Sequence, residues 1–158
     1  MEICNMTQIC SSIKDVVQFA IDKEEKAREF YSQCQNQAKS PGLKKFFQEM
    51  AEEEQRHKDQ LTKLDLEGRL GDIPLEDTPD LSLSDFMIDV KFKPDLSYQE
   101  ALVMAMKKEQ KAHAFYEAWK NRCTDPKTSN IFNWLAEEEL KHKHKLEDMY
   151  ESDILDWQ

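Results

Sequence analysis

Met50-Ala-Glu-Glu-Glu54-Gln-Arg-His57 and Leu135-Ala-Glu-Glu-Glu139-Leu-Lys-His142 are one pattern written twice, 85 residues apart. In each, Glu-x-x-His sets a carboxylate and an imidazole at i and i+3. That spacing puts both donors on one face of a helix, within reach of one ion. A single such motif arises by accident in a chain rich in Glu. Two copies in register call for a structural reason, and the rest of the chain supplies it.

Laid over itself at the same offset of 85, residues 12–64 align with 97–149 without a gap and agree at 18 of 53 positions. The identities include Ala20/Ala105, Glu24/Glu109, Ala27/Ala112, Phe30/Phe115, Tyr31/Tyr116, Pro41/Pro126 and Leu61/Leu146. Each copy reads as a helix pair. Ser12 and Ser97, each followed three residues later by an acid, match a capping box. Ser40-Pro41 and Asp125-Pro126 place a capping side chain before a first-turn proline, whose missing N–H costs nothing there. The spacing predicts helices over about 12–38, 41–66, 97–122 and 126–150. The short breaks between them make two αα-hairpins, 12–66 and 97–150. Between these lies 67–96, which holds Gly68, Gly71, Pro74, Pro79 and Pro94 and apolar pieces such as Phe86-Met-Ile88. About 30 residues can run the ~38 Å length of one helix. The fold class is therefore all-α: two duplicated hairpins joined by a long crossover, which is the ferritin-like way to connect a four-helix bundle. One domain spanning 1–158 accounts for the whole length.

Alternate steps of three and four residues trace the face each helix turns to its neighbours. Helix 2 gives Leu43, Phe47, Met50, Glu54, His57, Leu61 and Leu64; helix 4 gives Thr128, Phe132, Leu135, Glu139, His142, Leu146 and Met149. The matching lines on helices 1 and 3 carry Glu24 and Glu109 at their centres, among Val17, Ala20, Ala27 and Tyr31, and Leu102, Ala105, Ala112 and Tyr116. A buried unpaired charge costs several kcal/mol, and four carboxylates of one sign repel one another. No Lys or Arg occupies these lines. Two divalent cations would balance the four charges, so the helical phase alone points to a dinuclear metal site of Glu24, Glu54, His57, Glu109, Glu139 and His142.

Neighbouring residues divide more plainly. Glu52, Glu53, Glu137 and Glu138 fall off the buried lines and read as solvated, although Glu53 and His57, at i and i+4, could share an ion. Tyr31 and Tyr116 lie seven residues past Glu24 and Glu109, hence on the same face, either as core packing or as hydrogen-bond donors to a ligand carboxylate. His113 and His144 read as surface. Phe30, Phe46, Phe47, Phe115, Trp119 and Phe132 read as core or crossover contacts.

Composition excludes several alternatives. Of 158 residues, 32 are Asp or Glu and 22 Lys or Arg, a net charge of −10. Nucleic-acid binding needs a basic face, and three glycines leave little material for a phosphate-cradling loop. No apolar run approaches the ~18 residues of a membrane span, and residues 1–12 do not pattern as a secretory signal. Cys4, Cys10, Cys34 and Cys123 form no C-x-x-C pair, as expected of reduced thiols in a cytoplasmic protein.

At Ala20-x3-Glu24-x2-Ala27-x2-Phe30-Tyr31, Met50-x3-Glu54-x2-His57 and their copies around Glu109 and Glu139, the sequence resembles the rubrerythrin-like proteins of the ferritin-like superfamily. The likeness spans about 12–150. It implies a carboxylate-bridged di-iron site in which Glu54 and Glu139 bridge, Glu24 and Glu109 are terminal, and His57 and His142 serve one metal each. Two departures stand out. Rubrerythrins proper carry another carboxylate three residues after the helix-3 glutamate, where this chain has Ala112, and they carry a rubredoxin-like Cys4 iron domain, for which this chain has no cysteine pairs.

Oxygen-rich ligation with one imidazole per metal suits iron or manganese, with zinc as another occupant. The leading expectation is an oxidoreductase that reduces H2O2 or O2 at a dinuclear iron site, fed by an external electron donor. The alternatives are an iron-binding or iron-handling protein without turnover, and an interaction bundle whose site is out of use. No nucleic-acid or membrane partner is expected. The family likeness also implies a homodimer, with hairpins exchanged through 67–96.

Overall fold

The computed structural model describes residues 13–66, 97–122 and 126–155. They form four helices: α1 Ile13–Gln37, α2 Pro41–Leu66, α3 Tyr98–Lys120 and α4 Pro126–Leu155. These agree with the expected elements to within two residues, with one exception. Helix α4 runs to Leu155 rather than ending near 150. The added stretch, Glu151-Ser-Asp-Ile-Leu155, contains neither Gly nor Pro, so no local signal stops it. The Ser12 cap, the Asp125 cap and the 67–96 crossover lie outside the described residues.

Two of the expected caps are visible. The Leu43 amide donates to Ser40 Oγ at 3.2 Å, ahead of Pro41. The Glu100 amide donates to Ser97 Oγ at 3.1 Å, with Ser97 in extended backbone. Each satisfies a first-turn N–H that the helix itself cannot.

Helix α1 packs along α2 and α3 along α4, and the two hairpins meet through α2 and α4. The inward lines are those the periodicity marks. Val17, Ala20, Glu24, Ala27 and Tyr31 are buried on α1, as are Phe47, Met50, Glu54, His57 and Leu61 on α2. Ala105, Glu109, Ala112 and Tyr116 on α3, and Phe132, Leu135, Glu139, His142 and Leu146 on α4, complete the interior.

The core divides into two apolar clusters. One gathers the start of α1, the end of α2, the end of α3 and the start of α4, through Val17, Leu61, Phe115 and Leu135 among others. The other gathers the opposite ends, through Phe30, Phe47, Met50, Leu102 and Leu146. All six residues marked as ligands by the periodicity fall between these clusters. Hydrophobic burial thus holds the bundle from both ends while a polar layer sits at its waist.

Candidate metal centre

Glu24, Glu54, His57, Glu109, Glu139 and His142 are each no more than 2 % exposed. Two overlapping tetrads arise from them. Glu24, Glu54, His57 and Glu139 offer donor atoms within 4.8 Å of one another, and so do Glu54, Glu109, Glu139 and His142. Glu54 and Glu139 belong to both. A third grouping joins Glu138 to the two imidazoles within the same 4.8 Å, but Glu138 is half-buried rather than buried and accepts a hydrogen bond from Lys141 on its own helix at 3.2 Å.

The hairpins exchange contacts symmetrically. His57 Nδ1 of α2 lies 2.9 Å from Glu139 Oε1 of α4, and His142 Nδ1 of α4 lies 3.1 Å from Glu54 Oε1 of α2. The two imidazoles stack with centroids 5.3 Å apart and planes 14° from parallel. Tyr31 of α1 donates to Glu109 Oε1 of α3 at 2.5 Å, and Tyr116 of α3 donates to Glu24 Oε1 of α1 at 2.6 Å. Of the two roles open to these tyrosines, the structure shows the hydrogen bond, made across the bundle to the other copy. Tyr31 also stacks on Phe47, and Tyr116 tilts against Phe132, so packing fixes both rings.

Removing either hydroxyl leaves a buried carboxylate oxygen without its donor. Tyr31→Phe or Tyr116→Phe should cost about 1.5–3 kcal/mol, the usual value of a hydrogen bond to a charged group. In a protein of this size that lowers the melting temperature by roughly 3–12 °C, readable by calorimetry. A change under 1 °C in both variants would show that water replaces the bond.

The remaining oxygens decide what the site can hold. Oε2 of Glu24, Glu54 and Glu109 is buried and makes no hydrogen bond. Glu24 Oε2 and Glu54 Oε2 each lie 3.5 Å from His57 Nδ1, the nearest cationic atom. Buried acceptors are almost always satisfied, so protons or cations must lie among these oxygens. A hard oxygen donor set with one imidazole per tetrad and two shared carboxylates fits a pair of divalent ions.

Without metal, protons take up the charge. Burial and the neighbouring Glu24 and Glu109 carboxylates push the Glu54 carboxyl up to about 8. Burial and the same two neighbours raise Glu139 well above the carboxylate range. Burial alone would lower the imidazoles, but the surrounding carboxylates outweigh it and raise both His57 and His142. Burial likewise opposes ionisation of Glu24 and Glu109, yet their carboxyl, imidazole and tyrosine neighbours hold Glu24 low and Glu109 at about 2.

Glu53, Glu138 and His113 depart from the sequence expectation; Glu138, expected in solvent, is half-buried. Glu53 is half-buried, and its Oε2 hydrogen-bonds His142 Nε2, the ring nitrogen turned away from the core. That bond holds its carboxyl down at about 2. It does not stand free in solvent, and among the described residues it belongs to none of the donor groups that contain His57. His113 is half-buried rather than on the surface, its ring bonded to the Ala136 carbonyl at 2.7 Å. Trp134 is the exposed large apolar residue among those described, and its ring meets His57 edge-on at 5.3 Å. Glu52, Glu137 and His144 are exposed as expected.

The rubrerythrin family model matches residues 15–81 and 100–155. The chain belongs to the rubrerythrin family. Among solved structures it is similar to a hypothetical protein from Pyrococcus furiosus, with 25% identity, 93% of this chain and 92% of that chain covered, and a TM-score of 0.70. It is also similar to a chain from Thermotoga maritima described as a ferritin-like diiron-carboxylate protein, with 21% identity, 90% and 96% coverage, and a TM-score of 0.71. None of the curated proteins compared with it matches. The four-helix, ferritin-like architecture is thus shared. Among the described residues, no helix is long and apolar enough to cross a membrane.

Proposed function

We propose that this rubrerythrin-family protein binds two iron ions, one at each tetrad, and reduces H2O2 or O2 with electrons from an external donor. The observation that carries the reading is the pair of buried tetrads sharing Glu54 and Glu139. Glu54 and Glu139 would bridge, Glu24 and Glu109 would bind one ion each, and His57 and His142 would each supply one imidazole. Bound there, two iron ions supply two electrons within one site, which is what conversion of H2O2 to two waters consumes together with two protons.

The chain's own part is to position and to exclude. Burial and the adjacent carboxylates raise both tyrosine hydroxyls well above their ordinary range, so they remain donors at physiological pH. Tyr31 and Tyr116 thereby hold Glu109 and Glu24 in fixed orientations. The apolar clusters above and below keep water from the layer, which strengthens every electrostatic interaction inside it. A cytoplasmic setting, where a small electron carrier can reach the surface, completes the reading.

Metal analysis with anaerobic stopped-flow mixing tests it. Two irons per chain are expected, and the loaded protein should be oxidised by H2O2 faster than free Fe(II). Two bound irons with no faster oxidation would overturn the enzymatic reading and leave a metal-binding protein. Iron loading far beyond two per chain would favour storage instead.

A further inference from the structure

The duplication makes the ligands of the two tetrads identical, but not what stands behind them. His142 is held from both sides: Nδ1 faces the carboxylate layer, and Nε2 is hydrogen-bonded by Glu53 of the facing helix α2. Glu53 is itself held toward α4 by Lys145 Nζ at 3.3 Å, with Arg56 at 3.8 Å. The other half lacks the corresponding arrangement. The copy of Glu53 is Glu138, whose carboxylate comes within 4.8 Å of both imidazoles but hydrogen-bonds neither and accepts from Lys141 of its own helix instead. The copy of Lys145 is Gln60, which has no charge to draw Glu138 across to α2. His57 instead meets the edge of Trp134, whose counterpart in the first copy is Glu49. An indole offers a donor and no acceptor, so it cannot take a proton bond from an imidazole.

We propose that the two metal positions are inequivalent and fill in order, the His142 position first, because Glu53 hydrogen-bonds the outer nitrogen of that imidazole, whereas His57 meets a carboxylate only through its inner Nδ1 and, among the described residues, no carboxylate hydrogen-bonds its outer nitrogen. A carboxylate on the outer nitrogen fixes the tautomer and the ring direction and makes the inner nitrogen a better donor. Glu53 is a positioning residue: it acts on the metal through His142. The inference rests on the two-metal reading above and deepens it by distinguishing the sites.

Anaerobic calorimetric titration of the metal-free full-length chain with Co(II), followed also by the Co(II) visible spectrum, tests the order. Two separate binding steps are expected. In Glu53→Gln the first step should weaken roughly 10- to 100-fold, the usual loss on removing such a partner, while the second stays unchanged and the spectrum of the first equivalent shifts. Lys145→Gln, which leaves Glu53 in place but loosens it, should weaken the same step by a smaller factor and covers the case in which Glu53→Gln folds poorly. Two ions bound with equal affinity in the parent protein would overturn the inference and leave the two-metal reading standing. So would a Glu53→Gln variant that weakens both steps alike or neither. Failure to take up any metal would overturn both.

Discussion

With Glu54 and Glu139 both changed to Gln, saturating Fe(II) should leave the melting temperature where it was, whereas the unaltered protein should gain roughly 10–20 °C. The gain follows from mass action. An ion present at 100 times its dissociation constant and bound to the folded state alone contributes about 2.7 kcal/mol. Two such sites give about twice that, and each kcal/mol is worth about 2–4 °C in a chain of this length. The loss follows from the overlap of the tetrads. Removing the two shared carboxylates strips both sites at once, leaving each with one carboxylate and one imidazole. Glu24→Gln, by contrast, touches one tetrad and should remove about half of the gain. The substitution is also gentle on the metal-free fold. Burial and neighbouring charge keep Glu54 and Glu139 largely protonated near neutrality, and an amide resembles a protonated carboxyl in shape and charge. The double variant should therefore fold normally without metal. Differential scanning calorimetry with and without anaerobic Fe(II) reads the result. A double variant that keeps the full gain would place the ions elsewhere.

How far the sequence carried this site can be judged residue by residue. Glu24, Glu54, Glu109 and Glu139 were legible because helical phase decides which side chains face inward, and the duplication repeated that phase twice. The crossed hydrogen bonds of Tyr31 and Tyr116 were half legible: their face could be read, their partner on the other copy could not. Glu53 was not legible. Glu52 and Glu53 are adjacent, identical in type and both repeated at 137 and 138, yet Glu52 is exposed and Glu53 reaches His142. Phase separates inside from outside, but a residue on the boundary takes its role from whichever helix lies beside it. Here that is α4, which brings His142 and Lys145 to Glu53. His113 fails for the same reason. It sits on the edge of α3 facing α4, where Ala136 has too small a side chain to cover its own carbonyl.

Proton release is the second large effect expected. Near pH 7 the metal-free site carries protons on Glu54, Glu139, His57 and His142, all of whose folded-state values are raised. Two carboxylic and two imidazolium protons must leave before all six side chains can bind cations, since ligands bind deprotonated. Metal uptake at pH 7 should therefore release close to four protons per chain, measurable by calorimetry in buffers of different ionisation enthalpy. The same protons set the stability of the metal-free protein. A group raised on folding contributes stability that is full below its unfolded value and is lost as pH rises toward its folded value. For Glu54 the loss runs from about 4.5 to about 8. For the histidines it begins near 6.5. Glu24 and Glu109 act oppositely but only in acid, where stability falls as pH drops toward about 2 at Glu109. Lys23, lowered by burial to about 8, works against the trend only above that pH. From pH 6.5 to 8 the raised groups therefore dominate. A single group displaced through that window costs about 2 kcal/mol, at 1.36 kcal/mol per unit, or roughly 4–8 °C. The metal-free protein should lose at least that much, while the increment from Fe(II) or Mn(II) grows with pH because fewer protons oppose binding. A metal-free melting temperature that rises between pH 6.5 and 8, or uptake that releases no protons, would mean that the carboxylate layer is ionised before any cation arrives.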